Sequence, residues 1–116
     1  MFIVTIMPAG TPANADFTSS RIECQNVGMY NTVLAFQLVA VGILSIDAVV
    51  KLQDSVDGIN FVDIPTQVAF PTTATLLAGA SSVILRVSQL TAPYVQVVYK
   101  KGTNSAGTIT GTYSIK

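Results

Sequence analysis

Histidine and tryptophan are absent from this 116-residue sequence, and charge is scarce: six basic and six acidic residues make up 10% of it, against about a quarter in an ordinary soluble domain. Without histidine, the commonest general base and the commonest metal ligand are both missing. The single cysteine, Cys24, cannot close an internal disulfide. It alternates with Ile22, which predicts a small buried apolar side chain, and no histidine exists to activate it as a nucleophile. Clustered basic residues are missing too. Nucleic-acid binding needs them to displace counterions from phosphates, yet Lys100 and Lys101 form the one adjacent pair and both arginines stand alone. Lysines guarding a sheet edge explain that pair equally well.

Long uninterrupted apolar runs are also lacking. A membrane-spanning helix needs about 20 mostly apolar residues. The uncharged stretch 24–45 contains Gln25, Asn26, Asn31 and Gln37, and the stretch 64–85 contains Pro65, Pro71 and a series of Thr and Ser. No membrane span is expected. Residues 1–10 are apolar but carry no basic leader and are interrupted by Pro8, so they do not read as a secretory signal.

What is present is apolar content, half of the residues, on a chain of zero net charge. Such a surface has little repulsion to keep copies apart. Much of it is therefore expected to be covered by neighbours. The length fits one domain, residues 1–116, in which residues 1–15 form either a strand or an extended amino-terminal arm.

The dominant periodicity is two, the signature of strands with one buried face. Ile109, Gly111, Tyr113 and Ile115 alternate with Thr and Ser, and Val83, Leu85 and Val87 alternate with Ile84 and Arg86. Val95, Val97 and Tyr99 oppose Gln96, Val98 and Lys100, while Ala48, Val50 and Leu52 oppose Asp47, Val49, Lys51 and Gln53. Residues 32–40 are apolar on both faces, which predicts a central or subunit-covered strand, and their β-branched and aromatic content argues against a buried helix. Asp57-Gly58 predicts a hairpin turn with positive φ. Residues 14–16, 26–28, 78–82 and 102–107 read as loops, and the segment between Pro65 and Pro71 as an edge strand or irregular crossing. The sum is an all-β, two-sheet antiparallel β-sandwich of about seven to nine short strands, jelly-roll-like or immunoglobulin-like.

Candidate chemistry rests on carboxylates alone: Asp16, Glu23, Asp47, Asp54, Asp57 and Asp63. Asp54, Asp57, Asn60 and Asp63 cluster around Gly58, but their spacing is not that of an EF-hand loop. Asp side chains bonding their own turn backbone account for the cluster better than calcium does. A paired-carboxylate glycosidase would need two of these groups across a cleft, and no spacing suggests it. Tyr30, Tyr94, Tyr99 and Tyr113 with Phe36, Phe61 and Phe70 could form a sugar-stacking platform, although aromatics in alternating strands belong more often to the core. The loop 102–107 lacks the basic residue and following helix of a phosphate loop. No catalytic residue, cofactor or metal is expected.

From Ile46 onward the text resembles small bacteriophage virion proteins. The segment Val50-Lys51-Leu52-Gln53-Asp54-Ser55-Val56-Asp57-Gly58-Ile59-Asn60-Phe61-Val62-Asp63-Ile64 is similar to their strand, Asp-Gly turn and returning strand, with Phe61 where tryptophan is more usual. Leu85-Arg86-Val87, then Ala92-Pro93-Tyr94-Val95-Gln96-Val97-Val98-Tyr99 and a closing strand from Gly107 to Tyr113, resemble the same group. The resemblance implies a virion β-sandwich of the capsid, decoration, spike-base or tail type. It implies no enzyme activity, partners that are other copies (trimer or pentamer favoured) and other virion proteins, and location in the virion. The outward apolar positions Val49, Ile84, Val98 and the second face of residues 32–40 are the expected contacts. A carbohydrate- or receptor-binding module is the alternative.

Overall fold

The computed structural model describes residues 2–23, 33–44, 47–65, 72–76, 79–88 and 92–115. They form ten strands and no helix: β1 (Phe2–Pro12), β2 (Phe17–Thr18), β3 (Ile22–Glu23), β4 (Val33–Ile43), β5 (Val49–Ser55), β6 (Val62–Asp63), β7 (Thr73–Thr75), β8 (Gly79–Ser88), β9 (Tyr94–Lys100) and β10 (Thr108–Ile115). One sheet has the order β1-β10-β4-β8. The other runs β2-β9-β5-β6, with β3 also on β9 and β7 also on β5. All pairings are antiparallel.

Counting β2 with β3, and β6 with β7, as one interrupted strand each leaves eight strands. The first then pairs with the eighth, the second with the seventh, the third with the sixth and the fourth with the fifth. The chain is thus one long hairpin whose tip is the 56–61 turn. Rolling it up adds the pairings β10–β4 and β9–β5. That is a jelly roll, which decides between the two topologies left open by periodicity.

The core lies between the sheets. Met7, Phe36, Leu38, Leu85 and Ile109 of the first sheet meet Val50, Leu52, Val95, Val97 and Tyr99 of the second, all fully buried. Each large apolar side chain withdrawn from water contributes about 1.5–3 kcal/mol. Alternation sets these faces, so the inward residues read from the sequence on β5, β8, β9 and β10 do form the interior.

Several expectations are corrected. Of the two readings of the amino-terminal residues, strand or arm, Phe2–Pro12 takes the strand, pairing with β10. Residues 79–82, read as loop, belong to β8, because β4 continues beyond Ala40 to Ile43 and offers them a partner. β4 passes through Gly42 at a bulge where φ is +77°. Val98 points outward yet is only 3% exposed. It sits on an inner strand between Thr18 of β2 and Lys51 of β5, which cover it. Lys100 guards no edge, since β9 is flanked on both sides; it pairs with Asp16 at 3.6 Å. Cys24, Tyr30 and Phe70, the loop at 26–28 and the segment 66–71 lie outside the described residues.

Candidate interaction surfaces

The Asp57-Gly58 turn is wider than two residues, because strand pairing ends at Asp54–Val62. Asp57 organises it. One carboxylate oxygen accepts the N–H groups of Ile59 and Asn60, each at 2.8 Å, and the Ser55 hydroxyl at 2.8 Å, while the other accepts Asn60 Nδ2 at 2.9 Å. Gly58 takes the positive φ of +76° that L side chains resist. The Asn60 and Ile59 N–H groups hold the Asp57 carboxyl far below the usual range. A depressed pKa stabilises the fold above the unfolded-state value, and the contribution fades as pH falls through it. An Asp57→Asn variant is accordingly expected to be less stable than wild type at pH 7. The gap should narrow as pH falls below about 4, as read from denaturation midpoints in urea. A pH-independent gap would show that the charge is irrelevant to the turn.

Asp63 lies on the outer face of β6, where Gln53 donates to it at 2.8 Å and Lys51 at 3.2 Å. These two donors lower its pKa. Asp54 is on the opposite face of β5 from Gln53, and partial burial raises its pKa. The cluster seen in sequence is therefore split by the pleat. Among the described residues no three His, Cys, Asp or Glu side chains come together as a metal site would require. Asp47 accepts the N–H and hydroxyl of Thr103, and Asp16 the Lys101 N–H. Both carboxylates tie loops.

Among the described residues the aromatic side chains do not assemble into a platform. Phe36 is buried and stacks at 5.8 Å on Tyr113. Tyr99 is buried, and its hydroxyl donates to Ala13 O at 2.7 Å. Tyr94 has Arg21 over its ring at 4.8 Å, and Arg21 also donates to Gly58 O at 3.0 Å. That arginine clasps the hairpin tip to the second sheet, a role with no sequence signal, since 37 positions separate the partners.

The two outer faces differ. On the second sheet Gln96, Gln53, Asp63 and Lys51 form a polar network. On the first sheet, alternation turns outward Thr108, Thr110, Thr112 and Ser114 of β10, Ala35, Gln37, Val39 and Val41 of β4, and Ser82, Ile84 and Arg86 of β8. Arg86 is the one charge in that set. Val39, Val41 and Ile84 are 38–56% exposed. A shallow depression of about 210 Å³ crosses this face between Ala35, Gln37, Ile84, Arg86, Thr112 and Ser114. A second cleft, about 320 Å³, opens between β1 and β3, where the sheets part; Val4, Ile6, Arg21, Glu23 and Tyr113 line it. The hairpin tip exposes Val56, Ile59 and Val62, apolar positions that the sequence pattern had not marked.

No protein-family model and no curated protein matches the chain. Among solved structures it is similar to one described as "CBM4 structure and function", at a TM-score of 0.51 and 16% sequence identity, over 98% of this chain and 68% of the other. The likeness is one of fold: both chains are β-sandwiches.

Proposed function

We propose that this protein is a non-enzymatic structural β-sandwich of a bacteriophage particle (minor capsid, decoration, spike-base or tail) that acts by symmetric assembly with itself and with other virion proteins. The observation that carries assembly is the outer face of the first sheet. Its outward positions are hydroxyl and aliphatic, with one glutamine and one arginine among them. Obligate interfaces are depleted of charge in this way, and zero net charge adds no long-range repulsion. The virion placement rests on the sequence resemblance from Ile46 onward. A jelly roll is compatible with it but is shared by capsid and lectin domains alike.

Light scattering over a concentration series tests the reading. A closed oligomer of fixed mass is expected; a monomer that persists at high concentration overturns it.

Carbohydrate or receptor binding is the second reading, and the cleft between β1 and β3 favours it. Arg21 and Glu23 stand there beside Tyr113 and apolar walls, a mixture suited to a polar ligand with apolar faces. The solved structure of similar fold is a carbohydrate-binding module. Against it, Phe36, Tyr94 and Tyr99 are engaged within the fold. A glycan array with wild type and an Arg21→Ala variant decides: specific binding lost in the variant establishes this reading, and no binder removes it.

A further inference from the structure

Natural sheets blunt their edges, because a long regular edge strand pairs with whatever strand it meets. Among the described residues, three of the four sheet edges are blunted. The second sheet ends in the fragments β2 and β3 on one side and β6 and β7 on the other, each two or three residues long. In the first sheet, β1 carries Pro8 and Pro12, which have no N–H to donate, and two register breaks, between Thr5 and Met7 and between Met7 and Thr11. Gly10 twists it further at φ +86°.

The fourth edge is β8, and it is built differently. It runs for ten residues, Gly79–Ser88, without proline. Its register with β4 is unbroken from Ser81–Ala40 to Ser88–Val33, so the strand is regular. Arg86 is its sole charge, and no lysine interrupts it. Among the described residues no strand pairs with its outer side. In an antiparallel ladder half of the backbone N–H and C=O groups of such a strand point away from its neighbour.

We infer that the outer edge of β8 is a pairing site for β8 of a second copy of this chain, antiparallel about a two-fold axis, making one continuous eight-stranded sheet. A second copy offers the same regular, proline-free edge, and charge permits the pairing. A two-fold ladder centred on Ile84 sets Arg86 of each chain opposite Ser82 of the other, so the two arginines lie at opposite ends and never meet. Ile84 then faces Ile84 at the axis, which joins the aliphatic outer faces of both copies into one surface. The first closed species is a dimer, in place of the trimer or pentamer implied by the resemblance. This inference rests on the assembly reading and assigns its first contact.

Ser82 is exposed on the outer face, so it accepts charge without disturbing the core. Ser82→Lys places like charges opposite each other twice per dimer, and Ser82→Glu places opposite charges there. Like-charged cross-strand pairs destabilise and opposite ones stabilise. The expected result for the full-length protein is that Ser82→Lys raises the dimer dissociation constant about tenfold, while Ser82→Glu leaves it equal or lower. In wild type, backbone amides within residues 82–87 should gain hydrogen-exchange protection as concentration rises. Equal responses of the two variants, or amides that stay unprotected in an assembled protein, overturn the edge assignment alone. A wild type that remains monomeric overturns the assembly reading with it.

Discussion

Replacing Asn104 by alanine is expected to destabilise the protein by about 3 kcal/mol, from the loss of three hydrogen bonds made by its buried side-chain amide, each contributing about 1 kcal/mol. Asn104 is 1% exposed in the loop between β9 and β10. Its side-chain oxygen accepts Leu44 N–H at 2.9 Å, beyond the end of β4. Its Nδ2 donates to Ala13 O at 2.8 Å, beyond the end of β1, and to Ala106 O at 2.7 Å. It also lies 3.4 Å from the Tyr99 hydroxyl, which donates to the same Ala13 carbonyl. One side chain thus closes an end of the sandwich where strands of both sheets meet. Alanine leaves Leu44 N–H and the Ala106 carbonyl without this partner, while Ala13 O retains Tyr99. Tyr99→Phe should cost about 1 kcal/mol, and the double variant more than the sum, because only it strands the buried Ala13 carbonyl that each single variant leaves with one donor. Urea denaturation measures all three. A loss below about 0.5 kcal/mol for Asn104→Ala would place it among ordinary surface substitutions and refute its role as a latch.

Gly107→Ala is expected to cost a similar amount, about 3 kcal/mol, by combining left-handed backbone strain with overpacking. Gly107 has φ +95°, and a Cβ there would lie 2.6 Å from Val41 O and 2.7 Å from Gly42 C. Those are backbone atoms at the β4 bulge and cannot swing aside. Gly10 supplies the control. Its φ is +86°, but a Cβ there meets nothing within 4 Å. Gly10→Ala should therefore cost only the backbone strain, about 1 kcal/mol. Equal losses for the two variants in parallel thermal or urea melts would show that the Gly42–Gly107 approach carries no weight.

The surfaces were legible in the sequence only where alternation reports them. Ile84 and the second face of β4 were read as outward apolar positions, and Val39 and Ile84 are exposed. Val98 had the same parity and is buried, because parity gives the side of the sheet and not the depth of the strand within it. The Asp57 turn was read correctly because its bonds are local, within three residues. The clasp of Arg21 on Gly58 and Tyr94, and the latch at Asn104, join residues 37 to 91 positions apart. No local pattern encodes such a pairing.

Composition and period together determined an all-β sandwich, the inward residues of β5, β8, β9 and β10, and the positive φ at Gly58. Each depends on short-range physics: the pleat alternates side chains, and an Asp-Gly turn satisfies its own backbone. Strand order is different. Whether the rolled hairpin closes as β1-β10-β4-β8, which edges stay open, and that β1 is bulged by prolines while β8 runs straight were decided only in three dimensions. Pairing partners are chosen by burial summed over the whole sandwich, and that sum exists only once both sheets have met.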